Sequence, residues 1–135
     1  MPLIQWNPNY SVKIGEIDTQ HQKLITMINE LNDAMLKGKA KEILSPLIDG
    51  LIAYTQVHFS KEEMLFDKYK YPDTPAHKEE HAAFVKKVSE FREGFKKGNM
   101  SLTINIMDFL SNWLTKHICG TDKKYSDFLN KNGVK

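Results

Sequence analysis

The sequence predicts an all-α protein: an up-down-up-down four-helix bundle with an N-terminal loop and a short C-terminal segment. Three observations lead to this prediction. Apolar residues recur at spacings of three and four in four segments, glycines and prolines separate these segments, and no segment alternates apolar with polar residues as a half-buried strand would. Helices that follow one another through short connections pack as antiparallel neighbours.

The first predicted helix spans residues 19–37. Asp18 or Thr19 is its candidate N-cap because a short polar side chain can accept a hydrogen bond from the first turn, and Gly38 is its candidate end. Residues at spacings of three and four lie on one side of this helix and form what we call its stripe. The stripe consists of His21, Leu24, Ile25, Ile28, Leu31 and Met35.

The second predicted helix spans residues 41–67 and ends before segment 71–75, which contains two prolines. Its stripe carries polar residues only in its second half. The stripe consists of Leu44, Leu47, Ile48, Leu51, Ile52, His58, Phe59, Glu62, Leu65 and Phe66.

The third predicted helix spans residues 75–97. Thr74 is its candidate cap, Pro75 takes the first helical position, and Gly98 ends it. Its stripe consists of His77, His81, Phe84, Val88, Phe91 and Phe95.

The fourth predicted helix spans residues 101–119. Ser101 or Asn99 opens it, and Gly120 is expected to end it. Its stripe consists of Leu102, Ile106, Leu110, Trp113, Leu114 and His117.

Length and composition predict one domain over residues 1–135 and exclude several classes of protein. The 19 basic and 17 acidic residues leave a net charge of +2, and Arg92 is the only arginine, so we expect no nucleic-acid partner. The single cysteine, Cys119, excludes an internal disulfide and suits a reducing compartment. With neither a signal-type apolar segment nor a run near the roughly 18 apolar residues of a membrane span, we expect a cytoplasmic protein.

The bundle topology brings all five histidines to one layer. In an antiparallel bundle the starts of the first and third helices lie at the same end as the ends of the second and fourth. The polar members of the stripes occupy those positions: His21, His58, Glu62, His77, His81 and His117. At about 1.5 Å of rise per residue, their offsets along the bundle amount to no more than about two turns.

A metal centre is the interpretation that satisfies these side chains together. Each buried polar atom without a partner costs about 1–3 kcal/mol, so five unpartnered imidazoles would remove much of a small domain's stability. The pairs His58 with Glu62 and His77 with His81 have the spacing at which one helix face offers two ligands. Asp122 is the further candidate carboxylate, because a helix that loosens at Gly120 would let it turn back toward the same layer, although an acidic residue in such a lysine-rich segment is more often solvated. The other glutamates in these motifs, Glu63, Glu79 and Glu80, lie off the stripes and are expected to be solvated.

The number of candidate ligands indicates two metal ions. Seven ligands exceed the six positions of one octahedral ion, whereas two ions with two bridging carboxylates and a bridging solvent oxygen leave one position open. Ligand softness alone leaves iron, manganese and zinc as candidates.

Four motifs together resemble the successive ligand motifs of the hemerythrins, and in particular of their bacterial single-domain members, the bacteriohemerythrins. They are Ile-Asp-Thr-Gln-His at 17–21, His-Phe-Ser-Lys-Glu-Glu at 58–63, His-Lys-Glu-Glu-His at 77–81, and the segment 113–122. The likeness runs from Trp6 to Tyr125 and uses every histidine of the chain.

The resemblance implies a role for each ligand. His77, His81 and His117 would bind one iron ion, and His21 and His58 the other. The remaining two ligands, Glu62 and Asp122, would bridge the ions together with an oxo or hydroxo group. The iron with two histidines would hold the open position.

The resemblance also implies that O2 binds reversibly at this position, for storage, transport or delivery to an oxygen-consuming client enzyme. Leu114 matches the position that borders the gas pocket, and Phe59 and Trp113 are further candidates, for which ordinary core packing is an equal alternative. We expect small anions to compete with O2 for the open position on the iron. We also expect the protein to be a monomer and not to be an enzyme.

Three alternatives stay open at this point. The spacing of His77, Glu80 and His81 also fits an inverted zinc-peptidase motif with Glu80 as general base, although it leaves three histidines unused. A ferritin-like oxidase or peroxidase is a second alternative, but such sites contain four carboxylates and two histidines. A sensor of O2 or redox state, acting through a separate protein, is the third. Cys119 is expected to face the surface, off the His117 side of the helix.

Overall fold

The four-helix bundle predicted from the sequence is confirmed. The structure, a computed structural model, describes residues 4–38, 41–98 and 102–135. Each long helix packs against its neighbour in sequence, and the first and fourth close the ring. No strand is present in those three ranges. The elements are a 3-10 turn at Pro8–Tyr10, α1 at Gly15–Leu36, α2 at Lys41–Tyr69, α3 at Thr74–Lys96, α4 at Leu102–Lys116, a π-helical segment at His117–Asp122 and α5 at Lys123–Lys131.

Two hydrophobic clusters lie on either side of the histidines. The larger one, the body core, is drawn from the stripes of α1 to α4 and includes Leu24, Ile28, Leu31, Leu44, Leu51, Phe59, Phe84, Val88, Leu110 and Leu114. The smaller one, the cap cluster, combines the N-terminal segment, the end of α2 and α5. Its buried members are Val12, Ile14, Ile17, Phe66, Tyr71, Tyr125 and Leu129.

The predicted helix ends at glycines are confirmed for α1 and α3. Gly38 and Gly98 have φ angles of +66° and +94°, in the left-handed region that glycine adopts without strain after a helix. The candidate caps Asn99 and Ser101 of the fourth helix lie outside the described residues. The end of α2 lies at Tyr69, two residues beyond the prediction.

The predicted start of the first helix is wrong by one turn. The helix begins at Gly15, with Ile14 as its N-cap residue. Asp18 already lies within the first turn, and its carboxylate instead accepts hydrogen bonds from the Val12 amide and the Ser11 hydroxyl. This carboxylate therefore fastens the N-terminal segment to α1 rather than capping the helix.

The predicted end of the fourth helix is also wrong. The helical backbone does not end at Gly120, because α4 passes directly into the π-helical segment. The short C-terminal segment that we expected after it forms a further helix, α5. In an α-helix, residues five apart point about 140° away from each other. The wider turn of a π-helix aligns positions i and i+5. His117 and Asp122 therefore face the same way without a break in the helix.

Candidate metal centre

The structure brings the seven candidate ligands together in two overlapping groups. One group contains three histidines, and the other contains two. Glu62 and Asp122 belong to both, and all seven residues are buried. Within each group the candidate ligand atoms lie within 4.8 Å of one another. The groups are His77, His81, His117, Glu62 and Asp122, and His21, His58, Glu62 and Asp122.

Asp122 stands between the two groups. Its Oδ1 atom lies 2.9 Å from His77 Nε2 and 3.0 Å from His117 Nε2, whereas its Oδ2 atom lies 3.1 Å from His21 Nε2. Two atoms about 2.1 Å from one metal ion, at right angles to each other, lie about 3.0 Å apart. The spacing of these atoms thus fits adjacent positions of octahedral ions on each side of the carboxylate.

Glu62 makes the second connection between the groups. Its Oε1 atom lies 3.3 Å from Nε2 of both His58 and His81, which belong to different groups. Its Oε2 atom accepts a short hydrogen bond from the Tyr125 hydroxyl. Glu62 therefore faces both groups and is held from outside by a tyrosine.

Three of the histidines are fixed by hydrogen bonds from their outer ring nitrogens. His58 Nδ1 pairs with Gln20 Oε1 at 2.7 Å, His81 Nδ1 with Glu63 Oε2 at 3.0 Å, and His117 Nδ1 with Glu80 Oε1 at 3.1 Å. When Nδ1 carries the proton and donates it to such an acceptor, Nε2 of the neutral ring keeps a lone pair for a metal ion.

Glu80 and Glu63 are partly solvated, as expected, with side chains 43% and 30% exposed, but each also holds a histidine, which the sequence did not predict. Glu80 Oε1 lies 3.1 Å from His117 Nδ1, and both Glu80 oxygens accept from the Thr121 hydroxyl at 2.9 and 3.1 Å. Both glutamates lie beside the apolar stripe of their own helix. From there each can reach the outer ring nitrogen of a histidine on the next helical segment. Glu79 is exposed, as expected.

The buried donor set fits metal ions better than it fits hydrogen bonding alone. His81 Nε2 and His117 Nε2 face each other at 3.2 Å, so when both rings are neutral and carry their protons on Nδ1, two lone pairs point at each other. A cation between them removes this repulsion. Among the described residues, seven side-chain atoms of the candidate ligands are also buried without a hydrogen bond: His21 Nδ1 and Nε2, His77 Nδ1 and Nε2, Glu62 Oε1, Asp122 Oδ1 and Asp122 Oδ2.

The electrostatics of the layer favour positive charge. Burial by itself lowers the pKa of His117, but Asp122, with Glu62 and Glu80, outweighs burial and raises this pKa to about 9. Burial raises the pKa of Asp122, yet His117, His21 and His77 hold it well below its usual range. Two anionic carboxylates thus remain charged inside the bundle, where metal cations can neutralise them.

Tyr125 is a further residue of the centre that the sequence did not predict. It is fully buried, and burial together with Glu62 raises the pKa of its phenol well above the usual value, so it remains a hydrogen-bond donor. The signal that could have found it is the helical spacing of Tyr125 and Leu129 within α5.

The three pocket candidates lie beside the centre or in the body core. The Phe59 ring stacks on His81 with centroids 3.7 Å apart, and the Trp113 ring stacks on His117 at 4.2 Å. Leu114 is buried in the body core. Their role in a gas pocket stays a prediction.

Two further expectations concern the surface and the membrane. Cys119 is exposed, as expected, and its Sγ atom lies 4.0 Å from the Asn9 carbonyl oxygen. None of the helices within the described ranges combines the length and the apolar character that crossing a membrane requires.

Comparisons with known proteins agree on one family. The family model described as Hemerythrin HHE cation binding domain matches residues 12–129. The bacteriohemerythrin of Stenotrophomonas maltophilia is 35% identical over 127 residues, which are 94% of this chain and 82% of that protein. The bacteriohemerythrin of Methylococcus capsulatus is 33% identical over 130 residues, 96% of this chain and 98% of that protein.

A solved structure gives the same result for the fold. A crystal structure of wild-type hemerythrin superposes with a TM-score of 0.86 at 30% sequence identity, covering 93% of this chain and 96% of the other. The match of the family model over most of the chain, the two relatives and the shared fold show that this chain belongs to the hemerythrin HHE family.

Proposed function

We propose that this protein binds two iron ions and takes up O2 reversibly at one of them, for storage, transport or delivery to an oxygen-consuming enzyme. The observation that carries the proposal is the pair of buried ligand groups that share Glu62 and Asp122. The names of the relatives, bacteriohemerythrins, support iron and O2 rather than another metal or ligand.

The proposed ligand sets follow the two groups. His77, His81 and His117 would hold one ion, His21 and His58 would hold the other, and Glu62 and Asp122 would be shared between them, together with an oxo or hydroxo group. When bound there, a pair of ferrous ions would supply the electrons that O2 binding takes up and that return on release. Because one ion has a histidine fewer, we assign the open position to it.

The surrounding side chains favour reversible binding of O2 over cleavage of its O–O bond. Phe59 and Leu114 are buried, and the Phe59 ring lies with its centroid 5.9 Å from that of His58, on the side to which we assign the open position. An apolar lining of this kind excludes water, and so it withholds the protons that O–O cleavage consumes. This lining favours a carrier over an oxidase.

The hydrogen bonds of Glu80 argue against the zinc-peptidase alternative. That mechanism needs a free carboxylate as general base beside the metal-bound water. Glu80 instead accepts from His117 Nδ1 and from Thr121, on the outer side of the ring. Five histidines with two carboxylates also differ from the carboxylate-rich ferritin-like sites.

Absorption spectroscopy tests the proposal. We expect the protein loaded anaerobically with ferrous iron to be nearly colourless, to gain a visible absorption band in air, and to lose it again when O2 is removed. One zinc ion per chain, or a colour change that does not reverse over repeated cycles, contradicts the proposal.

Leu114 provides a finer test. We expect Leu114→Ala to shorten the lifetime of the oxygenated form by admitting water to the pocket, as measured from the decay of its absorption band. Leu110→Ala is the matched control, because Leu110 is equally buried in the body core one turn further from His117. Equal lifetimes in the two variants would remove Leu114 from the pocket.

A further inference from the structure

The two ligand groups differ in what stands behind their histidines. We name them the three-histidine position (His77, His81 and His117) and the two-histidine position (His21 and His58). Behind the three-histidine position, two rings donate to carboxylates, whereas behind the two-histidine position one ring pairs with an amide. The difference is therefore one of charge as well as of ligand number.

The two carboxylates are well placed to act on the rings. Glu63 Oε2 lies 3.0 Å from His81 Nδ1, and Glu80 Oε1 lies 3.1 Å from His117 Nδ1. Thr121 donates to both oxygens of Glu80, which holds that carboxylate in orientation. Glu63 lines a groove between α2 and α3 that reaches His81, so its outer side meets solvent while its Oε2 atom faces the ring.

A carboxylate behind an imidazole changes its strength as a ligand. The anion attracts the Nδ1 proton, electron density at Nε2 rises, and the ring becomes a stronger donor to a cation. A neutral amide fixes the ring in the same tautomer but draws on the proton less. Gln20 therefore orients His58, whereas Glu63 and Glu80 both orient and strengthen His81 and His117.

We propose that Glu63 and Glu80 are positioning residues that make the two metal positions unequal. Through them the three-histidine position holds its ion more firmly than its additional ligand alone provides, and the two-histidine position releases its ion first. This inference rests on the proposed function, because it assumes that both positions bind metal.

Metal extraction measures the inequality directly. The protein is loaded with two Co²⁺ ions, which are stable in air, and the release of each ion to an excess of chelator is followed by absorption. We expect two phases in the unaltered protein, the slower from the three-histidine position. Loss of one supporting carboxylate, in Glu63→Gln or Glu80→Gln, is expected to speed the slower phase by about 10–100-fold.

Two further variants separate support of the rings from general charge. Glu79→Gln removes the same charge from an exposed position of α3 and is expected to leave both phases unchanged. Gln20→Glu adds a carboxylate behind His58 and is expected to slow the faster phase. Because it adds support, this variant tests the inference even if the glutamate replacements fold poorly.

Proton NMR of the Co²⁺ protein gives a readout that a purely structural role would not move. The Nδ1 protons of cobalt-bound imidazoles give strongly shifted, exchangeable resonances. We expect Glu63→Gln to move one of them and Glu80→Gln to move another, with no change in Glu79→Gln.

The outcomes separate the inference from the proposed function. Failure of the unaltered protein to bind two Co²⁺ ions would contradict both metal positions and thus the proposed function. Two bound ions whose release is the same in Glu63→Gln, Glu80→Gln and Glu79→Gln would overturn the inference alone. An unchanged faster phase in Gln20→Glu would also overturn it.

Discussion

The body core and the cap cluster lie on opposite sides of the same histidine layer but are held together differently. The body core is built mainly from side chains of the four long helices. The cap cluster gathers short segments from distant parts of the sequence: residues 12–17, the end of α2 and α5. Apolar burial along the helices can stabilise the body core. We expect the cap cluster to depend also on its contacts with the candidate metal centre.

Hydrogen bonds and ring contacts connect the cap cluster to the candidate ligands. The Phe66 ring contacts His77 with centroids 4.7 Å apart and Tyr125 at 5.1 Å, and the Tyr125 hydroxyl donates to Glu62. On the other side, Ser126 donates to the Val12 carbonyl oxygen at 2.6 Å. Rings of the body core also contact the histidines, with Phe59 on His81 at 3.7 Å and Trp113 on His117 at 4.2 Å. The body core, however, continues away from the histidine layer between the long helices, so we expect the cap cluster to be the more sensitive of the two to metal.

Metal removal is the change with the largest expected effect on this comparison. Ions present at 1,000 times their dissociation constant add about 4.1 kcal/mol per site to the free energy of unfolding, and chelation removes this contribution. We expect hydrogen exchange of the metal-free protein to speed up most in α5 and residues 12–17, and least in the middle of α1 and α2. Uniform loss of protection across both regions would contradict the difference.

Two large-to-small substitutions sharpen the comparison next. Phe66→Ala in the cap cluster and Leu110→Ala in the body core each remove a fully buried side chain, at a cost of about 2–5 kcal/mol. Because Phe66 contacts His77, we expect Phe66→Ala to lower metal affinity as well. Urea unfolding with and without metal measures both effects. The metal contribution should shrink in Phe66→Ala and stay constant in Leu110→Ala, and the reverse pattern would refute the coupling.

Removing the Tyr125 hydroxyl has a smaller expected effect. Tyr125→Phe keeps the ring but deprives Glu62 of its donor, and a hydrogen bond to a charged group contributes about 1.5–3 kcal/mol. Thermal unfolding of the metal-loaded protein measures the loss. The control is Tyr71→Phe, which removes a hydroxyl from the same cluster without touching Glu62. Equal losses in the two variants would show that the Glu62 contact contributes nothing.

The smallest expected effect concerns a hydroxyl in each region. Ser126→Ala leaves the Val12 carbonyl without its side-chain partner and is expected to lower the free energy of unfolding by about 1 kcal/mol. Thr55→Val removes a similar buried hydroxyl from α2. The Leu51 carbonyl that accepts from this hydroxyl keeps its helical hydrogen bond, so we expect a smaller decrease in the free energy of unfolding. Chemical denaturation of both variants measures the difference, and a larger loss in Thr55→Val would contradict the expectation.

The same division separates what the sequence could predict from what it could not. The apolar stripes of the long helices predict the body core, and the polar residues at their ends predict the ligand layer. The cap cluster could not be predicted in this way. Its helix α5 has only nine residues, and Gly120, which usually marks the end of a helix, lies inside the π-helical segment.

The supporting glutamates escaped for a geometric reason. A histidine that points Nε2 into the bundle directs Nδ1 toward its rim, so the partner of Nδ1 comes from the flank of a neighbouring helix. Glu63 follows Glu62 on α2 and reaches His81 on α3, and Glu80 precedes His81 and reaches His117. Stripe analysis assigns such flanking positions to solvent, and only the packing of adjacent helices reveals their contacts.

Iron analysis of the unaltered protein and of His58→Ala, both loaded anaerobically, tests the central claim most directly. The two overlapping ligand groups predict two iron ions per chain in the unaltered protein. They predict about one in His58→Ala, because the two-histidine position then keeps a single imidazole while the three-histidine position is complete. A single ion in the unaltered protein, or two firmly bound ions in His58→Ala, would contradict the two-metal centre.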